Sequence, residues 1–149
     1  MNDKYIKNFE IGRKLLSARY GSPINEGRHR MVFHDKENNE VIKLPTYHTG
    51  IRANLFEAEN FNKKSFYAKT KMDDKLSKLL NIPIIRMEYV EEIVLSPEDI
   101  ESLDSLKPSQ KVKNIINEMP SIPFKRLDGL QVGRGKDGKL LFYDFEKET

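Results

Sequence analysis

The stretch that most restricts the fold of this 149-residue chain runs from Asp128 to Glu146, close to the end of the sequence. Within it, Asp137-Gly138 reads as a two-residue hairpin turn, because Asp-Gly readily takes the positive φ angles of a type I′ turn. The strand that follows, Leu140 to Tyr143, is apolar and aromatic, and it delivers Asp144 at its end. A carboxylate at the exit of a buried strand is either a metal ligand or a hydrogen-bonded structural acid. The hairpin alone leaves both readings open.

A second β unit is expected over residues 24–44, where Met31-Val32-Phe33 and Val41-Ile42-Lys43-Leu44 flank the polar turn Asp35 to Asn39. Alternation places Val41 and Lys43 on one face of the last strand, with Ile42 and Leu44 on the other. A lysine in such a strand either lies at a sheet edge with its amine in solvent, or points into a cleft to meet an anion. The edge is the commoner outcome.

Helices are expected around these strands. Ile6, Phe9, Leu15, Leu16 and Tyr20 recur at helical spacing, Gly12 weakens the middle, and Gly21-Ser22-Pro23 stops the helix. Ile51, Leu55, Phe56, Ala58 and Phe61 mark the apolar face of a second helix, with a basic, less periodic continuation to Leu80. Glu57 sits in that helix. Ile82 to Val90 reads as one or two buried strands. Ser96-Pro97-Glu98-Asp99 is a helix start, with a serine cap, an early proline and acids at the positive end. Another helix restarts at Lys107-Pro108-Ser109, carries Val112, Ile115, Ile116 and Met119 on one face, and ends at Pro120 and Pro123.

Composition excludes several classes of protein. There is no cysteine, so neither a disulfide framework nor a cysteine-ligated metal is available. The three histidines, His29, His34 and His48, show no metal-ligand spacing. No signal-peptide pattern and no long apolar run appears, so a cytoplasmic protein without membrane association is expected. Residues 88–104 hold seven acids and no Lys or Arg, so with a net charge of +3 the remainder is about +10. Such a remainder attracts a nucleotide, a nucleic acid or an acidic protein. The absence of a basic stripe interleaved with aromatics argues against a nucleic-acid platform. No repeat or low-complexity linker marks a domain boundary.

Taken in order, the chain offers a glycine-bearing turn, a strand lysine, a helix glutamate, a strand running into an acidic connector, helices, then Asp128 and Asp144 around a hairpin. This order resembles the protein-kinase-like superfamily in compressed form. Gly27-Arg28-His29-Arg30-Met31-Val32 resembles a glycine loop followed by valine, and Val41-Ile42-Lys43 resembles the lysine strand that contacts nucleotide phosphates. Glu57 matches the glutamate that orients that lysine, and Arg86-Met87-Glu88-Tyr89-Val90 the connector whose backbone reads adenine. Tyr143-Asp144-Phe145-Glu146 resembles the metal-binding Asp-Phe-Gly segment, with Glu in place of Gly. The Asp128-x-x-Gln131-x-Gly133…Tyr143-Asp144 ending is similar to short kinase-like proteins often encoded by bacteriophages.

The resemblance implies an α+β, kinase-like fold in a single domain over residues 1–149. Residues 1–21 would form an N-terminal helix. Residues 22–92 would form an antiparallel-sheet N-lobe with a helix, and 93–149 a strongly reduced C-lobe ending just after the Asp-Phe-Gly-like segment. It further implies ATP and magnesium as cofactors. Gly27, Lys43, Glu57, Glu88 and Val90 would contact or support the nucleotide, Gln131 and Asp144 would hold magnesium, and Asp128 would be the base for a protein or small-molecule hydroxyl.

The sequence departs from that pattern in three places. The turn keeps one glycine beside Arg28, His29 and Arg30, no histidine follows His48 to supply a His-Arg-Asp triplet, and little chain follows Asp144. These departures favour a second expectation: a pseudokinase-type binding protein that engages a host or regulatory protein. On the plainest reading, Lys43 and Glu57 form an ordinary ion pair, Asp128 is a turn residue and Asp144 braces the terminus. A third class, a small unrelated α+β nucleic-acid binder, would require a continuous basic face and strongly salt-dependent binding.

Overall fold

The alternation read from Val41 to Leu44 divides the first sheet into two unlike faces. In the computed structural model, which describes residues 3–102, 105–118 and 130–145, with side chains left out at 130, 131, 144 and 145, the chain is α+β with antiparallel sheets. It forms two compact units: residues 1–64 with 68–89, and residues 65–67 with 90–149.

The first unit contains α1 (Asp3–Tyr20), β1 (Asn25–Glu26), β2 (Arg30–Asp35), β3 (Glu40–Pro45), α2 (His48–Asn60), β4 (Thr70–Met72), α3 (Asp74–Leu80) and β5 (Ile85–Glu88). Its sheet runs in the order β1-β2-β3-β5-β4. β3 is central, paired with β2 on one side and β5 on the other, with Lys43 opposite both Val32 and Ile85. Of the two placements open to Lys43, the edge is excluded: Lys43 is 3% exposed in the middle of the sheet.

Phe33, Ile42 and Leu44 project to one face and join Leu16, Leu80, Ile82 and Ile84 in a core that α1 and α3 cover. Gly12, expected to weaken α1, lies where the helix approaches Leu80 and Leu44. The helix ends as expected, Gly21 donating its N–H to the Ser17 carbonyl at 2.9 Å. The basic continuation expected up to Leu80 is instead a short strand and a separate helix. Asp73 caps that helix by accepting from Leu76 N, and Asn81 closes it in the left-handed conformation.

Arg86 binds the apolar-core face together at its polar margin. It donates Nη1 to Asp35 Oδ2 at 2.9 Å, Nε to Asp73 Oδ2 at 2.7 Å and Nη2 to the Tyr20 hydroxyl at 3.0 Å. One guanidinium thus fastens the end of α1, strand β2 and the cap of α3. Burial opposes ionisation of Asp35, but hydrogen bonds from Asn38 and Arg86 outweigh it and hold the carboxyl below its ordinary range. On the same side Tyr5 donates to the Pro45 carbonyl at 2.9 Å, and burial pushes its phenol up to about 12.

The second unit contains β6 (Glu91–Glu92), α4 (Pro97–Ser102), α5 (Gln110–Glu118), β7 (Leu130–Arg134) and β8 (Leu140–Phe145), with sheet order β6-β7-β8. Ser96 and Asp99 exchange side-chain-to-backbone hydrogen bonds at the start of α4, and Ser109 Oγ accepts from Val112 N at the start of α5. Both expected starts are present. Ile115, Val132, Leu140 and Phe142 form the core, with Phe66 and Tyr67 packed against it. Met119, Pro120 and Pro123 lie outside the described residues.

The hairpin corrects the expected turn type. Of Asp137-Gly138 only Gly138 has positive φ, at 80°, and Gly135 N bonds the Lys139 carbonyl while Gly138 N bonds the Gly135 carbonyl. The connection is a longer loop closed by one left-handed glycine rather than a two-residue type I′ turn. Among the described residues no helix is long and apolar enough to cross a membrane.

Replacing Arg86 with Met leaves Asp35 and Asp73 without their shared cation. The expected loss of stability in urea denaturation at pH 7 is about 3 kcal/mol or more. Because the folded Asp35 carboxyl is held low, its contribution is full above about pH 4 and disappears as pH falls through the lower folded value. The acid-induced fall in stability should accordingly be smaller in Asp35→Asn than in the parent chain.

Candidate functional site

The sheet face opposite α1 carries Arg30, Val32 and His34 from β2, and Val41 and Lys43 from β3. Helix α2 packs on this face, and its buried residues are Gly50, Asn54 and Glu57. Of the apolar stripe expected on α2, Leu55 is 46% exposed, Ile51, Phe56 and Ala58 are half-buried and Phe61 is fully buried. The buried stripe is polar because its partners on the sheet are cations.

Glu57, fully buried, accepts a hydrogen bond from Lys43 Nζ to Oε1 at 2.8 Å. Its other oxygen, Oε2, lies 2.7 Å from Arg30 Nη1, also buried. That second contact is a charge pair and not an aligned hydrogen bond, since Oε2 has no hydrogen-bond partner among the described residues and Nη1 donates to Asn54 Oδ1 at 3.2 Å. Charges this deep hold their place only when paired and well oriented.

Asn54 supplies much of that orientation. Its Nδ2 donates to the carbonyl of Lys43 itself at 2.9 Å and to the Pro83 carbonyl at 2.8 Å. One amide therefore touches the lysine strand, the approach to β5 and the Arg30 guanidinium. One turn further along the helix stands Glu57. Asn is an indifferent former of helix interiors, and Asn54 three residues before Glu57 shares its face. That pairing was the available sequence signal, and periodicity of apolar residues passed over it.

The glycine turn is fastened to the start of α2. Thr46 N donates to the His29 carbonyl at 2.8 Å, Thr46 Oγ1 donates to the Arg28 carbonyl at 3.3 Å, and Thr49 Oγ1 lies 2.6 Å from His29 Nδ1. Gly50 sits so close to the His29 carbonyl that a Cβ there would collide with backbone. Arg30, one of the three bulky residues that depart from the glycine-turn pattern, turns inward to Glu57. Gly27 is exposed in the turn between β1 and β2.

The other expected residues are placed as follows. Glu88 takes part in the sheet, its N–H donating to the Lys69 carbonyl at 2.9 Å and its Oε1 accepting from Lys69 N at 2.8 Å. Val90 is buried in the second unit beside Gly133. Gln131 and Asp144 are opposite each other in the β7–β8 ladder, next to an irregularity at Gln131/Val132. Asp128 and Glu146 lie outside the described residues. A pair that sequence reasoning missed, His34 and Tyr89, stack at 4.2 Å and 11°, with His34 Nε2 buried and without a hydrogen-bond partner among the described residues.

The Arg30–Glu57–Lys43 cluster has a distinctive mutational signature. Glu57→Leu leaves two buried cations without their carboxylate, and should cost about 3–5 kcal/mol in urea denaturation. Lys43→Met combined with Glu57→Leu should cost clearly less than the sum of the single changes, since contacting charges couple. Additive losses would show that the pair contributes nothing jointly.

Comparison with family models, with curated proteins and with solved structures finds no match for this chain.

Proposed function

We propose that this chain is a kinase-like protein whose first unit binds the phosphates of ATP through Lys43, held in place by Glu57. The observation that carries the reading is the buried 2.8 Å contact between an ammonium on the third strand and a carboxylate on the helix that follows it. Protein kinases use a third-strand lysine and a helix glutamate in this way. A triphosphate needs a fixed cation, and a lysine gripped by a carboxylate stays charged and in register. Val32 and Val41 share the face of Lys43, and Val41 is buried there.

Magnesium belongs to the same reading. An amide oxygen and a carboxylate, from Gln131 and Asp144, are hard oxygen donors of the kind magnesium takes, and the two residues are cross-strand partners. Among the described residues no group of three His, Cys, Asp or Glu stands ready for a metal. Magnesium, when held by these two residues of the second unit, would supply positive charge to phosphate oxygens. Transfer to a protein or small-molecule hydroxyl would call on Asp128 as the base.

A second reading rests on Arg30. Because Arg30 shares Glu57 with Lys43, part of that carboxylate's charge is spent inside the fold. This favours a pseudokinase-type protein, phage-encoded by resemblance, that keeps the scaffold and engages a host or regulatory protein.

Calorimetric titration with ATP, with and without magnesium, separates the two readings. The expected result is magnesium-dependent binding that weakens at least about tenfold, or about 1.4 kcal/mol, in Lys43→Met and in Asp144→Asn. Absence of ATP binding by the folded parent chain would overturn the nucleotide reading and leave the binding-protein one.

A further inference from the structure

The geometry points to Arg30 and Asn54 as positioning residues that hold Glu57 against Lys43 before any ligand arrives. This inference rests on the phosphate-binding reading for its functional consequence, but its structural content stands apart from it.

Three observations carry it. Asn54 is fully buried, and every polar atom of its side chain is committed: Oδ1 to Arg30, and Nδ2 to the carbonyls of Lys43 and Pro83. The amide therefore sets both the height and the rotation of α2 against the strand that bears the lysine. Arg30 completes a closed circuit, since its Nη1 meets both Asn54 Oδ1 and Glu57 Oε2. With residues 54 and 57 on adjacent turns of one face, a helix rotated away from the sheet would lose both contacts together.

The third observation is the fastening of the preceding turn. Thr46 and Thr49 grip the Arg28–His29 backbone and ring, and Gly50 lets the helix start abut the His29 carbonyl. The chain is thus tied to α2 twice, through Arg28 and His29 near the helix start and through Arg30 at mid-helix. A carboxylate held this way needs no nucleotide to draw it in. Rupturing the circuit would strand buried polar groups, a costly alternative that disfavours a helix-out state.

The test uses the full chain without ligand, with ¹⁵N-labelled lysine, and reads the Lys43 side-chain ammonium by NMR. A buried ammonium bound to a carboxylate is shielded from exchange with water and gives its own signal, which Lys43→Met assigns by loss. The parent chain is expected to show that signal before any nucleotide is added. Arg30→Met and Asn54→Ala should lose it while the near-ultraviolet circular dichroism of the fold is retained, and Arg30→Lys should restore it. Their affinity for magnesium–ATP should fall about tenfold, as expected for one lost buried polar contact.

A signal that appears in the parent chain only after magnesium–ATP is added would overturn the inference. So would its persistence in both Arg30→Met and Asn54→Ala. The parent-chain measurement needs no variant, so an unfolded substitution cannot leave the matter undecided. A signal present in the free chain, together with no ATP binding at all, would sink the nucleotide reading while leaving the positioning roles intact.

Discussion

A carboxylate with no exposure to water, contacted by two cations, is the constraint on which the first unit depends. Glu57 is on α2, Lys43 on the central strand and Arg30 on the strand beside it, so one group joins three elements. Buried charge is a poor source of net stability, because desolvation offsets most of the attraction. Its effect is directional: only one placement of α2 satisfies Glu57 and Asn54 together. The unit has two such polar fasteners, since Arg86 plays the corresponding part on the opposite face with Asp35, Asp73 and Tyr20. Between them the sheet has one face sealed by apolar packing under α1 and another committed to charge.

That division of labour explains how a short sheet can bury a lysine in its middle: its ammonium meets Glu57 instead of water. The α1 face takes the apolar burden, with Leu16, Phe33, Ile42 and Leu44 among its fully buried members. The other face is then free to carry Arg30 and Lys43. The N-terminal helix covers the side away from Lys43, whereas α2 packs on the Lys43 face and Arg30 reaches Glu57 there.

Much of the secondary structure was legible because it obeys short-range rules. Gly21-Ser22-Pro23 ends α1, Ser96 and Ser109 start α4 and α5, and two-residue alternation sorted Val41 and Lys43 from Ile42 and Leu44. The failures share a physical cause. The preference for an edge lysine and the apolar face assigned to α2 both assumed that polar side chains seek water. Glu57 and Lys43 satisfy each other instead, and the partners lie on different elements that no local window contains. Strand β4 and helix α3 were hidden in a basic stretch because β4 is fixed by pairing with the distant β5, and Asp73 at the start of α3 by Arg86 of that same strand. In the hairpin, Asp137-Gly138 correctly marked a turn, but the glycines at both 135 and 138 allowed a longer loop. Of the candidate site, the pairing of Lys43 with Glu57 was implied by the kinase-like resemblance, whereas Arg30 was read only as a departure from the glycine turn and Asn54 was not read at all.

The most direct test of the central claim, that the Lys43–Glu57 face receives phosphate, is a backbone amide NMR titration of the full chain with magnesium–ATP. The account predicts shifts centred on the glycine turn, Val32, Val41 to Lys43, and the segment of α2 around Glu57. Shifts confined to other parts of the chain, such as the acidic 88–104 stretch or α5, would contradict it, and so would a spectrum that ATP leaves unchanged.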